Sequence, residues 1–238
     1  YWYSSNAPGV WYSVVGTGQT MVASTCSSFL NFESSIYVFS GECDSFECVA
    51  SSQYGYSSCG DSVYGGRQVS FRTENGVDYY ILVTGAYSSA VGDFVLSLVD
   101  IVSPPNDICS DAIEIMPDSG VIVGSLTNAT SFFGSNYTCA YEQSAKSVWY
   151  YLMGTGDVLA ISTCSSQLNF DSALSVSTGS CDDHVCVTSN AYNADACTET
   201  SSSAARVTIR TEVGVEYFIA VEGLYFESGG DFGLTVST

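Results

Sequence analysis

The sequence predicts an all-β protein built as two tandem antiparallel β-sandwiches, the first of which lacks its N-terminal strands. Composition is the first observation: the 238 residues include 17 Tyr, 12 Phe and 22 Gly, but only 5 Lys and Arg together and 4 Pro. Aromatic and β-branched residues favour strands, and the basic helix formers are scarce. An internal repeat and a series of short alternating segments are the other two observations.

The repeat is long and has no gaps. Residues 11–100 align with residues 149–238 at a constant offset of 138, with identity at 38 of 90 positions. Its best-matched stretch reads WYSVVGTGQTMVASTCSSFLNFES from Trp11 and WYYLMGTGDVLAISTCSSQLNFDS from Trp149. Such self-similarity indicates a duplicated structural unit. Two consecutive prolines in the segment Ile101–Asn106 (IVSPPN) hold the chain extended, so we place the domains at 1–102 and 103–238.

Each copy contains short segments that are typical of strands. Val77, Tyr79, Ile81 and Val83 alternate onto one face, and Asn75-Gly76 supplies the preceding turn. Seven such segments separated by turn signals indicate an antiparallel sandwich. In the first domain they are Val10–Val15, Thr20–Cys26, Ser35–Ser40, Cys48–Ser52, Val69–Thr73, Val77–Thr84 and Asp93–Val99.

The two copies differ in what precedes them. Two additional strands, Asp111–Met116 and Val121–Thr127, lie ahead of Trp149, while only ten residues lie ahead of Trp11. A sandwich without such strands exposes a hydrophobic groove and an unpaired sheet edge. We expect something to fill that groove, because unsatisfied backbone groups beside a core are costly.

Cysteine spacing indicates a disulfide-stapled protein from an oxidising compartment. The even number in each unit leaves three pairings open per set of four. Four residues separate Cys43 from Cys48, which suits a hairpin tip. The predicted bonds are Cys43–Cys48, Cys181–Cys186, Cys26–Cys59, Cys164–Cys197 and Cys109–Cys139. Zinc is disfavoured, because the sequence has no CxxC pair and a single histidine.

The net charge of −20 excludes some classes of partner. Nucleic acid binding requires a basic surface, and an anionic membrane surface would repel this chain. No apolar run approaches the ~18 residues of a membrane span, so we expect no membrane insertion. Acidity and abundant Ser and Thr favour solvation and contact with neutral partners such as glycans. We expect an extracellular or cell-surface protein whose export signal is removed or lies outside the sequence.

Few residues are candidates for catalysis or metal binding, and we expect no enzyme. His184 lies between Cys181 and Cys186, and we interpret it as a surface residue, because nothing nearby forms a catalytic constellation. Calcium is the alternative cofactor, since carboxylates are its preferred ligands. No D-x-D-x-D-G ladder is present, so ordinary turn carboxylates and no cofactor are the favoured interpretation. The acids considered are Glu33, Asp44, Asp171, Asp182 and Asp183.

Modification and contact sites are suggested by two further patterns. Asn128 and Asn136 each begin an N-x-Thr sequon, which predicts N-glycosylation in an exported eukaryotic chain. Tyr1, Trp2 and Tyr3 form an aromatic lead-in that we predict to be an assembly or binding segment. Exposed aromatic residues stack on sugars or anchor protein contacts.

The motifs of the second copy resemble those of the pre-peptidase C-terminal domain, in its cysteine-containing tandem form. The matching segments are NDICSDAIEI, SVWYYLMGTG, ISTCSSQLNFDSALSVSTGSC, VTIRTEVGVEYFIAVEG and GGDFGLTV. The resemblance covers 106–238 and, without the first strands, 10–100. It implies a jelly-roll or immunoglobulin-like sandwich that serves as an accessory module of a secreted or surface protein. The Asn-Asp-Asp turn of that family is replaced here by Ser51-Ser52-Gln53-Tyr54 and by Ser189-Asn190-Ala191-Tyr192, which weakens the transfer of a calcium role to that turn.

Two functions follow as hypotheses. The first is an extracellular structural subunit of a surface appendage or filament, in which a strand from another copy completes the first domain. The second is a tandem carbohydrate-binding or adhesion module of a secreted protein. The predicted partners are therefore copies of the chain itself or glycans.

Overall fold

The computed structural model describes residues 7–52, 59, 65–130, 139, 145–191, 204–224 and 228–238. Within these ranges the chain forms β-sheets, in which every strand pair but one is antiparallel, and one turn of 3₁₀ helix, Cys109–Asp111. The predicted all-β class is confirmed. The chain divides into two compact units, Tyr1–Val102 (unit 1) and Ser103–Thr238 (unit 2).

Unit 1 contains two sheets that enclose an apolar core. Its described strands are β1 (Gly9–Val15), β2 (Thr20–Ser24), β3 (Ser34–Ser40), β4 (Glu47–Ser51), β5 (Gln68–Arg72), β6 (Asp78–Gly85) and β7 (Ser97–Ile101). One sheet has the order β1-β6-β3-β4, and the other has the order β5-β2-β7. The core between them includes Met21, Ile36, Val38, Phe71 and Ile81.

Unit 2 repeats this arrangement and adds one strand to each sheet. Its described strands are β8 (Ile113–Glu114), β9 (Ile122–Ser125), β10 (Ser147–Met153), β11 (Val158–Ser162), β12 (Ser172–Ser180), β13 (Asp183–Ala191), β14 (Arg206–Arg210), β15 (Glu216–Gly223) and β16 (Asp231–Ser237). The sheet orders are β13-β12-β15-β10-β8 and β14-β11-β16-β9. The added strands are therefore β8 and β9, each at a sheet edge.

The two units share their strand register as well as their sequence. Trp11 pairs with Leu82, and Trp149 pairs with Ala220, 138 residues further on in both strands. The irregularity in the β3–β4 pairing between Val38 and Phe39 recurs between Val176 and Ser177. Because a one-residue slip would reverse every side chain, equivalent residues point in equivalent directions.

Polar residues of the repeated block are used inside each sandwich. The Thr25 and Ser34 hydroxyls are 2.8 Å apart, and the Thr163 and Ser172 hydroxyls repeat that distance. Thr25 also donates to the carbonyl of Arg67 at 3.2 Å. All four hydroxyls are buried, so each pair satisfies groups that would otherwise be costly in the core. The STCSS–F(D/E)S pattern is thus a structural motif.

One strand of unit 1 begins later than the alternation predicts. The predicted strand Asp93–Val99 is observed as Ser97–Ile101, whereas its counterpart β16 already begins at Asp231. In unit 2, residues 231–234 bond to β9, and only residues 235–237 bond to β11. Unit 1 has no described equivalent of β9, so residues 93–96 have no ladder to join.

Candidate functional site: the open side of unit 1

The two sheets of unit 1 are open on the same side. In the described part of the chain, β1 is bonded to β6 alone and β7 to β2 alone. Their counterparts in unit 2, β10 and β16, each have a second neighbour, β8 and β9. By this comparison, the outer N–H and C=O groups of β1 and of residues 93–96, which precede β7, are placed to bond to an added strand. The predicted unpaired edge is present on both sheets.

The interior of unit 1 is exposed at this side. Tyr12 is 40% exposed, whereas its counterpart Tyr150 is 3% exposed. Phe94 and Leu96 are partly exposed, while the equivalent Phe232 and Leu234 are fully buried. The exposed apolar groove that we predict from the absence of N-terminal strands lies on this side of unit 1.

The groove has the same internal geometry whether it is filled or empty. The ring centroids of Tyr12 and Phe94 are 6.3 Å apart in an edge-to-face contact. Tyr150 and Phe232 form the same contact at 6.4 Å. The aromatic floor of unit 1 therefore matches that of unit 2 before anything covers it, which lowers the cost of ordering on binding.

In unit 2 the added strands complete the core. Ile115, Leu126 and Ala129 are buried in it, and Ile122 packs against it. Gly124 lies opposite Phe232 in the ladder, where a Cβ would come within 2.4 Å of Cζ of that ring. A filling strand needs apolar residues on its inner face and a glycine where it crosses the phenylalanine.

The segment that carries β8 and β9 also covers the outer face of a sheet. We call its described residues, 106–130 and 139, the covering segment. Trp149 is 1% exposed there and packs with Phe218, Cys109 and Cys139. In unit 1 the equivalent Trp11 is 50% exposed. It stacks on Phe46 at 5.4 Å, beside the rings of Phe39 and Tyr80. We call the residues Trp11, Phe39, Phe46 and Tyr80 the aromatic patch.

Two buried polar residues fix the start of the covering segment. The backbone carbonyl of Asn106 accepts a 2.8 Å bond from the Trp149 N–H, and the Asn106 amide donates to the Trp149 carbonyl at 2.8 Å. The Asp107 carboxylate accepts bonds from the N–H and hydroxyl of Thr130 at 2.6 and 2.9 Å. The Asn106 bonds tie the start of the stretch that carries β8 and β9 to β10, and the Asp107 bonds join residues 107 and 130, the two ends of that stretch, to each other.

The disulfides differ from most of the predicted pairs. Cys26–Cys59 is formed as predicted. Cys109 is bonded to Cys181, and Cys139 to Cys186, so the predicted bonds Cys109–Cys139 and Cys181–Cys186 are wrong. Cys43 and Cys48 are free thiols instead of a bonded pair. Cys164 is in a disulfide, and its predicted partner Cys197 lies outside the described residues. The hairpin cysteines of unit 2 thus fasten the covering segment to the sheet.

His184 is buried, which corrects its interpretation as a surface residue. Its ring stacks on Trp149 at 5.2 Å and meets Phe218 edge-on at 5.8 Å. Nδ1 lies 3.0 Å from the Ser177 hydroxyl. Burial lowers the pKa of His184, against the opposing effect of Asp182 and Asp183. The covering segment turns a hairpin position into a core position, so His184 is structural in this unit.

Glu222 is a buried acid that no sequence pattern singles out. It is 3% exposed and accepts a hydrogen bond from the Ser175 hydroxyl. Burial raises the pKa of the Glu222 carboxyl to about 7, and the bond from Ser175 opposes this rise. Its counterpart in unit 1 is Thr84, so the acid belongs to the covered unit alone.

The raised pKa predicts a pH dependence of stability. Between pH 4.5 and 7 folded Glu222 holds a proton that the unfolded chain has lost, so the free energy of unfolding should fall by about 3 kcal/mol as pH rises through that window. Above pH 7 this contribution should be constant. Glu222→Gln should remove this fall in the free energy of unfolding. Hydrogen exchange of β15 amides at pH 4.5, 6 and 7.5 measures it, and His184, which titrates with the opposite sign, is present in both proteins.

Several predicted residues have no role that the structure reveals. Asn128 is exposed on a turn with φ 63°, and its glycosylation stays a prediction. Glu33 is paired with Arg67 at 2.9 Å, which favours the structural interpretation of that acid. Among the described residues no group of three His, Cys, Asp or Glu is placed to hold a metal ion. Tyr1, Trp2, Tyr3 and Asn136 lie outside the described residues.

The compartment is indicated by the disulfides, which are typical of exported proteins. Over the ranges that the structure describes, no helix is both long and apolar enough to cross a membrane.

Comparisons with known proteins place the chain in no family. No family model matches it, and a search of curated proteins finds no match. An uncharacterized protein from Burkholderia cenocepacia aligns with 97% of the chain and 76% of its own length, at 6% identity and a TM-score of 0.31. The tandem CBM51 modules of a family 98 glycoside hydrolase from Streptococcus pneumoniae align over 97% and 81%, at 13% identity and a TM-score of 0.24. Similarity this low supports no argument, so the resemblance to the pre-peptidase C-terminal domain stays a prediction.

Proposed function

We propose that the chain is an extracellular structural subunit of a filament or surface appendage, in which the open side of unit 1 accepts strands from a neighbouring subunit. The observation that carries the proposal is the pair of open edges on one side of a sandwich whose duplicate has both edges filled. Strand addition of this kind gains main-chain hydrogen bonds at the edges and apolar contacts in the groove. A head-to-tail contact that does not close generates a filament.

Unit 1 offers enough surface for such a contact. Apolar side chains along both edges are substantially exposed: Val10, Trp11, Tyr12, Val15, Val95, Leu98 and Val99 are between 37% and 56% exposed. Their counterparts that are described as buried in unit 2 include Val148, Trp149, Tyr150 and Val236. Burying aromatic and aliphatic side chains at about 25 cal/mol per Å² is the main gain available to an added strand.

Lysines placed on the open edge test the acceptor. Val95 lies opposite the position of a filling strand, as Gly233 lies opposite Val123 in unit 2. Val95→Lys with Val99→Lys should abolish assembly, because edge ammonium groups oppose strand addition. Val213→Lys is the matched control, since Val213 is 79% exposed and lies in unit 2. Sedimentation velocity and negative-stain electron microscopy report assembly.

The outcomes separate the alternatives. Wild type and Val213→Lys should form filaments, and the double lysine variant should remain monomeric. If the wild type remains a monodisperse monomer at every concentration, assembly is excluded. If the double variant assembles normally, the contact between subunits does not involve the open edge. A chain that lacks residues 1–6 tests the aromatic lead-in as donor, and filaments that persist without it show that the donor is another segment.

The second candidate function is binding of neutral glycans by the aromatic patch. The half-exposed Trp11 on Phe46 offers a flat apolar surface of the kind on which sugar rings stack. In a glycan array, Trp11→Ala should abolish binding, and the double lysine variant at Val95 and Val99 should not. If no glycan binds, this function is excluded, and assembly is unaffected by that result.

A further inference from the structure

Cys43 and Cys48 are exposed free thiols at one side of the aromatic patch. Their counterparts at the constant offset, Cys181 and Cys186, are both in disulfides. Those disulfides do not join the two hairpin cysteines to each other. Each runs to a cysteine of the covering segment, Cys109 or Cys139.

The backbone of unit 1 places Cys48 as unit 2 places Cys186. Cys48 pairs with Phe39 across the hairpin, just after the irregularity at Val38. Cys186 pairs with Ser177 at the same point of the equivalent hairpin. Since the register is identical, the Cys48 side chain leaves the same face of the sheet as that of Cys186, the face over which the covering segment passes.

The polypeptide that leads into β1 does not reproduce the arrangement of unit 2. At the offset of 138, Cys139 corresponds to Tyr1, and the offset still holds there, because Tyr3 matches Tyr141 and Ala7 matches Ala145. The position that supplies a cysteine in unit 2 is therefore a tyrosine in unit 1. Every other described cysteine is already in a disulfide.

We propose that Cys43 and Cys48 are attachment points for a second polypeptide, which crosses the outer face of unit 1 and is fixed there by two interchain disulfides. This inference rests on the strand-accepting role that the proposed function gives to unit 1, because the same polypeptide fills the open edges. The donor that it assigns is a subunit other than this chain, since every described cysteine apart from Cys43 and Cys48 is already in a disulfide. It assigns the chemistry of the donor: two short strands, a glycine opposite Phe94, and two cysteines that reach Cys43 and Cys48.

Each bond forms by thiol–disulfide exchange with a small disulfide of the oxidising compartment, such as oxidised glutathione. The donor thiolate attacks one glutathione sulfur and expels the other as a thiolate, which takes up a proton. The Cys43 thiolate then attacks the donor sulfur of the mixed disulfide and expels the second glutathione thiolate. Two protein thiols are oxidised to one disulfide, and one oxidised glutathione is reduced to two thiols. Cys48 reacts with the second donor cysteine in the same way.

A peptide of residues 103–145 is the probe, because it contains β8, β9 and the two cysteines, Cys109 and Cys139, that are bonded to the equivalent hairpin in unit 2. It is incubated with the full chain in a buffer of reduced and oxidised glutathione. Peptide mapping should find one peptide per chain, linked to Cys43 and Cys48, and alkylation of these two cysteines by iodoacetamide should fall about tenfold. Hydrogen exchange of the amides of β1 and of residues 93–96 measures filling of the edges independently.

The matched control is the Cys43→Ser, Cys48→Ser chain. The peptide should protect the amides of β1 and of residues 93–96 in this variant without forming an adduct. Three outcomes overturn the disulfide proposal when the wild-type edges are protected: Cys43 is bonded to Cys48, both thiols are still alkylated, or the peptide is on Cys181 or Cys186. Each of them leaves intact the proposal that unit 1 accepts strands at its open edges. If the edges are protected in neither chain, the proposal that unit 1 accepts strands is overturned, and the disulfide proposal is overturned with it.

Discussion

Trp149→Ala should destabilise unit 2 by about 3–5 kcal/mol, whereas Trp11→Ala should cost unit 1 about 1 kcal/mol or less. The two residues occupy the same position of the repeat, with the same register to the neighbouring strand. They differ in cover: Trp149 is 1% exposed between Phe218 and the covering segment, and Trp11 is 50% exposed. Removing the first leaves a cavity, and removing the second leaves a surface.

Urea unfolding followed by hydrogen exchange, which separates the two units, measures both changes. A second measurement distinguishes an uncovered tryptophan from one that a partner covers. In assembled material the cost of Trp11→Ala should rise towards that of Trp149→Ala, because the added polypeptide buries the ring. Equal costs in the monomer, or an unchanged cost on assembly, would contradict the assigned role of the covering segment.

The second large effect is expected at the disulfides that fasten the covering segment. Cys109–Cys181 and Cys139–Cys186 close loops with sequence separations of 72 and 47. Replacing either pair with serine should cost about 4 kcal/mol in the chain-entropy account. The two losses should not add fully, because both bonds hold one segment. The doubly replaced chain should expose Trp149 and resemble unit 1.

Limited proteolysis and tryptophan fluorescence report this change. Cleavage between residues 103 and 145, with a red shift of the emission, is expected in the chain that lacks both bonds. The chain with Cys26→Ser and Cys59→Ser is the control, because that bond lies in unit 1, and its covering segment should stay resistant. A segment that resists cleavage without its disulfides would show that Asn106, Asp107 and the strands hold it unaided.

Much of the fold follows from the sequence for simple reasons. Alternation in a segment such as Val77–Thr84 reports which residues face the core, and a duplication doubles the evidence for each strand. The open side was also predictable, since the strands ahead of Trp149 have no counterpart ahead of Trp11. Strand length at Asp93–Val99 was not, because a residue joins a ladder only if a partner lies beside it, and sequence alternation does not depend on the partner.

The disulfides and His184 show what local spacing misses. Cys181 and Cys186 are close in sequence, which suggested a bond within the hairpin. They are instead bonded to a segment that reaches the same sheet face from outside the repeat, and this long-range proximity has no local signal. The burial of His184 has the same cause. The cysteine count does indicate the link, because the two extra cysteines, Cys109 and Cys139, occur only in the segment that carries the extra strands.

The inward-facing polar pairs have a consequence for reading related sequences. Thr25 with Ser34, and Thr163 with Ser172, keep their identity because they satisfy one another inside the sandwich. Some outward positions differ, as Phe39 against Ser177 and Phe46 against His184 show, although Trp11 and Trp149 are identical. A protein that shares only the inward set therefore shares a framework. Its partners are to be inferred from the residues on the outer face of the sheet, where the two units of this chain differ in sequence.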